Sequence, residues 1–237
     1  QAERDAIRAL VAPALRKTAA RYGQSVRLID LRWGVNTAKM DEAEAAQKVL
    51  NVCLDEIDRC DGYMICLLGN RYGWVPDYEK LTAVEDHGIH MPQPVSVTEL
   101  EIQYGILQRN RGEKSVIFLR DQVTGLPEEM YARYNDPAGD CRMAQLKEKL
   151  EALPETKCHH YSLHYREDGE FDGIRAFADR LIRETEALLH RVYGAQAAEG
   201  ETLKQKRAFE HLMEEQLETY LPHPVLEKTY TDFMIME

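Results

Sequence analysis

Glu99 is the residue whose surroundings point most directly to chemistry. It stands in Ser96-Val97-Thr98-Glu99-Leu100-Glu101-Ile102-Gln103-Tyr104-Gly105, shortly after Pro92-Gln93-Pro94. Ser96 suits the N-cap of a helix, and Glu99 three positions later completes a capping box. At about 100° per residue, Val97, Leu100, Tyr104 and Leu107 form one apolar stripe, with Ile102 and Ile106 on roughly the opposite side. Glu99 falls about 60° from Ile102 and about 20° from Ile106. A carboxylate between apolar neighbours at a helix start, beside a long loop, is a candidate acid or nucleophile with a tuned pKa. The cap by itself also accounts for a glutamate in this place.

Two further clusters carry binding chemistry. Asp30-Leu31-Arg32-Trp33-Gly34-Val35 leaves the run Ser25-Val26-Arg27-Leu28-Ile29-Asp30, and Asn70-Arg71-Tyr72-Gly73-Trp74-Val75-Pro76 leaves the apolar run 62–69. Both runs read as strands. Charged, aromatic and glycine residues just past the carboxyl end of a strand stand where open α/β sheets bind ligands. A Trp packed on the sheet edge, with Arg32 paired to Asp30, would look the same. Residues 77–95 are polar and aperiodic, as a lid or binding loop would be. His87 and His90 lack matched carboxylate or cysteine partners. His159, His160 and His164 would point in different directions from a strand. No metal centre is expected at either place.

The elements that must position these residues alternate in type. Helices are expected over 3–22, 41–59, 96–108, 141–153 and 171–193, and strands over 25–30, 62–69, 115–120 and 157–163. Pro13 should kink or crowd the first helix. Ala46, Val49, Leu50, Cys53, Leu54 and Ile57 make the buried face of the second. Alternation of this kind means a parallel sheet with helices on both faces. A crossover helix needs a strand before it, so the first strand of the sheet is expected upstream of Gln1. Residues 121–140 read as turns. Residues 1–193 form the α/β domain, and 194–237 a linker and helical extension. Leu203, Phe209, Leu212, Met213 and Leu217 give that last helix a thin apolar stripe, suited to docking on a neighbour.

The chain has 237 residues, 30% of them charged, and a net charge of −11. Such a surface repels nucleic-acid phosphate. No apolar run approaches the ~18 residues of a membrane span. Its five cysteines lack zinc-type spacing and read as reduced core thiols of a cytoplasmic protein.

Five motifs in order resemble the DUF4062 family: Ala2-Glu3-Arg4-Asp5, the 30–35 cluster, Cys53-Leu54-Asp55-Glu56-Ile57, the run 67–76 and Ser96-Val97-Thr98-Glu99-Leu100-Glu101. Such domains sit at the N-terminus of NACHT-type STAND ATPases. Lys206-Arg207-Ala208-Phe209-Glu210 resembles the lead-in to such a module, although no phosphate-binding loop follows. The resemblance implies a TIR- and flavodoxin-like three-layer sheet. It also implies a signalling or effector role in innate immune or antiphage defence, with self-association and the downstream ATPase module as partners. TIR domains and nucleoside deoxyribosyltransferases use a glutamate at a matching helix start. Glu99 matches it, and Glu101 fits the family motif equally well. The expected chemistry is cleavage of NAD, as substrate rather than cofactor, at the nicotinamide glycosidic bond. The carboxylate would stabilise an oxocarbenium-like state. Trp33, Tyr72 or Trp74 would stack on the base, and Arg32 and Arg71 would hold phosphates. The alternative is a non-catalytic domain for oligomerisation or partner binding, in which the same helix and loops are contact surface.

Overall fold

In a computed structural model of the chain, the described residues are 1–30, 40–60, 63–78, 86–89, 93–109, 112–135, 141–153, 158–194 and 207–213. The first helix, α1, runs through Ala2–Ala6, Ile7–Val11 and Ala12–Ala20. Its middle segment is π-helical. Pro13 has no N–H and crowds the carbonyl four residues back, and the wider turn just before it absorbs that conflict without ending the helix. Next come α2 (Glu42–Arg59), β1 (Met64–Leu68), α3 (Val97–Ile102, continued by the π-turn Gln103–Leu107) and β2 (Ser115–Arg120). The chain continues through α4 (Glu128–Tyr134), α5 (Arg142–Glu151), β3 (Cys158–Tyr161), a short β4–β5 pair (His164–Tyr165 and Phe171–Asp172) and α6 (Ile174–Tyr193). A last helical turn, α7, covers 207–213.

The protein is mixed α/β, with a small parallel sheet in the order β1-β2-β3. Side chains alternate across it with the period of two that strands impose. Val116 and Phe118 of β2 face α1 and α6, packing with Val11, Leu15, Phe177 and Leu181. Ile117 and Leu119 face the other way, toward Ile102 and Ile106 of α3 and Leu146 and Leu150 of α5. Beyond α3 lies α2, whose Leu50, Leu54 and Ile57 meet Leu100 and Tyr104. The two stripes read on α3 therefore serve two different layers, although Leu107 packs with Ile102 and Ile106 rather than with Leu100.

Three expectations are corrected. Residues 25–30 form no strand, because none of the described residues is hydrogen-bonded along them as a ladder, although Val26 and Leu28 still pack inward. The turn-rich stretch after β2 contains α4, which buries none of its residues and so carries no apolar period to read. The last long helix starts at Ile174, after Gly173 at φ 94°. A Cβ on Gly173 would lie 2.4 Å from the Ser162 carbonyl oxygen, so only glycine makes this turn. The cluster 31–35, with Arg32 and Trp33, lies outside the described residues. So do most of loop 77–95, the linker 195–200 and the chain after 213.

Candidate functional site

The site is built where β1 hands over to α3. Past Leu68 the chain turns through Gly73, whose φ of 95° is left-handed. It then docks on the start of α3, where the Val97 N–H donates to the Trp74 carbonyl at 3.1 Å. Ser96 caps the helix by accepting from the Glu99 N–H at 3.2 Å. The reciprocal half of the expected capping box is replaced. The Ser96 N–H donates to the Tyr72 hydroxyl at 3.2 Å, and that hydroxyl donates onward to Glu99 Oε2. A direct capping box exists instead at α2, between Asp41 and Glu44.

Glu99 is 5% exposed, and both carboxylate oxygens are engaged. Oε1 accepts from Gln103 Nε2 at 2.9 Å and lies 3.5 Å from Lys149 Nζ. Tyr72 is buried as well. Its phenol is pushed up, first by burial and then by its hydrogen bond to Glu99. The Arg142 guanidinium lies 4.2 Å from the Tyr72 ring centre, close enough for a cation–π contact. From α5, Lys149 thus brings positive charge to the buried carboxylate, and Arg142 to the ring of its tyrosine partner.

Glu101 points elsewhere, as two residues at 100° each require. It accepts a hydrogen bond from the Cys53 thiol, which is pushed up mainly by burial and further by this carboxylate. Cys66 of β1 is pushed up to about 12, by burial first and by Glu101 second. Glu101 also lines a cleft of about 1400 Å3 with Thr98, Gly73, Trp74, Arg4 and Asp30. Asp30 is held there by Arg4 and Arg8, each at 3.6 Å.

The family profile described as a domain of unknown function, DUF4062, matches residues 1–168. The chain belongs to the DUF4062 family. It is 29% identical over 186 residues to telomerase protein component 1 of Mus musculus, covering 73% of this chain and 6% of that protein. The rat protein of the same name matches over 183 residues at 29%. A TPR repeat-containing protein of Dictyostelium discoideum is 28% identical over 166 residues, 65% of this chain and 10% of its own length. The chain therefore spans a small fraction of the relatives it matches. No solved structure matches it.

In this DUF4062 chain the expected site residues divide into two groups. Tyr72, Ser96 and Glu99 form one hydrogen-bonded unit. Trp74, Asp30 and Glu101 border the cleft, and Arg71 is exposed on the turn that follows β1. Arg32 and Trp33 fall outside the described residues. Sequence reasoning missed Gln103, Lys149, Arg142 and Cys53. Gln103 was within reach of the i, i+4 rule; nothing local ties Arg142 and Lys149 to residues more than 40 positions earlier. Among the described residues no group of three His, Cys, Asp or Glu stands close enough to hold a metal ion. Nor is any helix among them long and apolar enough to cross a membrane.

Proposed function

We propose that this DUF4062 domain is a TIR-like effector or signalling domain of a NACHT-type STAND ATPase in innate immune or antiphage defence. In this reading it cleaves NAD at the nicotinamide glycosidic bond on a TIR/flavodoxin-like sheet. The observation that carries the reading is the division of labour between the two glutamates. Glu99 is buried with both oxygens engaged. It fixes the start of α3. Glu101, two residues on, borders a roomy cleft that runs along β1 and reaches Trp74 and Arg4 past its carboxyl end, the end at which α/β sheets bind ligands.

Glu101 is then the carboxylate that stabilises the oxocarbenium-like ribosyl cation as nicotinamide leaves. Water completes the hydrolysis at C1′. Trp74 offers an aromatic face for the base. Arg4 and Arg8 sit where diphosphate oxygens would be held, exchanging their contact with Asp30 for the ligand. The test uses the full-length protein incubated with NAD, with and without forced oligomerisation, and follows free nicotinamide. Glu101→Gln should lower release at least about a hundredfold with the fold intact. Release at the parent rate in that variant would defeat the assignment. Loss in Glu99→Gln alone, in protein that is still folded, would move the role to Glu99.

A second reading, non-catalytic assembly, is favoured by a different observation. In α7, Phe209 is 63% exposed, beside exposed Leu212 and Met213. Side chains of this kind gain by meeting an apolar partner. The downstream ATPase module or a second copy would supply it.

A further inference from the structure

At the carboxyl ends of β2 and β3, away from the cleft, stands a chain of polar groups that the proposed chemistry does not use. His160 of β3 is opposite Leu119 in the register, on the side of the sheet that α5 covers. Its Nδ1 lies 3.1 Å from Asp121 Oδ1, just beyond β2, and its Nε2 lies 2.6 Å from Glu151 Oε1, at the end of α5. The Ser162 hydroxyl donates to the other Asp121 oxygen at 2.6 Å. The Asp121 N–H donates to the Tyr161 carbonyl at 2.9 Å, which fixes Asp121 to the sheet. Glu151 belongs to the helix, so the His160 ring bridges helix and sheet.

A neutral imidazole has one N–H and one lone pair. With a carboxylate at each ring nitrogen, the neutral form sets its lone pair against an oxygen, and only the imidazolium donates to both. We propose that His160 is a proton-operated clasp for α5: charged, it ties Asp121 at the end of β2 to Glu151 on the helix; neutral, it lets the carboxyl-terminal turn of α5 loosen. A carboxylate on the last turn of a helix meets the negative end of the helix dipole, so Glu151 is poorly placed unless a cation faces it. The hydrogen bonds to Glu151, and then to Asp121, push the His160 imidazole above its ordinary value of 6.5. The clasp is therefore fully present below about pH 6.5 and is lost as pH rises through the folded value. Burial works to raise the Asp121 carboxyl, but the hydrogen bonds from Ser162 and His160 outweigh it, so this acid is ionised throughout that range.

Other titratable groups approach the clasp. Lys147 of α5 donates to Asn70 Oδ1 at 2.8 Å and to the Arg120 carbonyl at 2.7 Å. Burial pulls its ammonium down further than Asp121 pulls it up. The Cys158 thiol is pushed up to about 11, by burial first and Glu151 second. The Tyr161 phenol is also pushed up, mainly by burial. Both stay protonated where His160 titrates. Met143, Leu146 and Leu150 hold the body of α5 on the sheet at any pH, which confines the loosening to the last turn. That turn carries Lys149, 3.5 Å from Glu99 Oε1. Loosening it withdraws positive charge from the carboxylate that fixes the start of α3, two residues before Glu101. The clasp stands apart from the proposed activity, and only this last consequence, slower turnover at alkaline pH, rests on the NAD reading.

The test is hydrogen–deuterium exchange on the full-length protein from about pH 6 to about pH 9, with the intrinsic pH dependence of exchange divided out. Amides of residues 148–152 should lose about twofold to fivefold in protection as pH rises, while residues 115–119 keep theirs. The midpoint should lie above 6.5, the ordinary value for histidine. His160→Ala should show the low protection at every pH. His160→Arg supplies a cation that does not titrate in this range, and should hold the high protection throughout. Glu151→Gln should remove the pH response while leaving the strand untouched. No response in the parent protein overturns the proposal. A response that survives in His160→Ala also overturns it, and places the switch on Lys147. Nicotinamide release on the same samples separates the two ideas. Protection that follows this pattern without release keeps the clasp and defeats the NAD reading; release from protein whose α5 is indifferent to pH does the reverse.

Discussion

Tyr72 does for the start of α3 what a glutamate normally does in a capping box. Its hydroxyl takes the Ser96 N–H and passes its own proton toward Glu99. Tyr72→Phe removes one oxygen and leaves two buried groups, the Ser96 N–H and Glu99 Oε2, each short of a partner. The expected loss is about 1–3 kcal/mol, read by urea denaturation. A change within a few tenths of a kcal/mol would mean the bridge contributes nothing. Part of this arrangement was legible in the sequence. Ser96 as cap follows from residue type, and the Glu99–Gln103 contact from helical spacing. The bridge was not, because Tyr72 arrives from 24 residues away through the turn at Gly73. Stacking on a nucleotide base, expected of Tyr72, needs an open ring face. The structure gives that ring to burial and to Arg142.

At the scale of elements, α1 is tied to the carboxyl end of β2 by a charge pair. Arg120 Nη1 donates to Glu3 Oε1 at 2.6 Å, and the Tyr161 hydroxyl donates to the same oxygen at 3.1 Å. Burial works to raise the Glu3 carboxyl. The charge and hydrogen bond of Arg120 outweigh it, and the group titrates below its ordinary value of 4.5. Since the folded value is the lower one, the pair's contribution is fully present above about pH 5. It is lost as pH falls from about 4.5 through the folded value. Glu3→Gln should therefore flatten the fall in stability below about pH 5, measured by thermal melts across pH, besides lowering stability at neutral pH. Identical pH slopes would place the acid sensitivity elsewhere. Periodicity found each long helix packed on the sheet, the three paired strands and the trouble at Pro13, since each leaves a local signature. It failed at 25–30 for a non-local reason. Alternation of apolar residues signals a face to bury, but a strand also needs a hydrogen-bonded neighbour, which lies elsewhere in the chain.

Across the whole molecule, charge and apolar surface pull in opposite directions. The net charge is −11, so two copies repel at long range. Phe209, Leu212 and Met213 present an apolar patch on one short helix. If assembly runs through that patch, salt should favour it. Screening shortens the reach of the repulsion from about 30 Å at 0.01 M to about 3 Å at 1 M and leaves apolar contact intact. Sedimentation velocity on the full-length protein should accordingly show self-association strengthening between about 0.05 and about 0.5 M salt, and Phe209→Glu with Leu212→Glu should abolish it. Association that weakens with salt would instead place the contact on opposed charges. Lys149 beside Glu99, and Arg142 on the Tyr72 ring, would then be the first candidates, because they are positive groups of α5 on a negative molecule. That outcome would also bear on catalysis. A partner's acidic surface seated on α5 would sit next to the unit that holds the start of α3, and through it the carboxylate two residues further on.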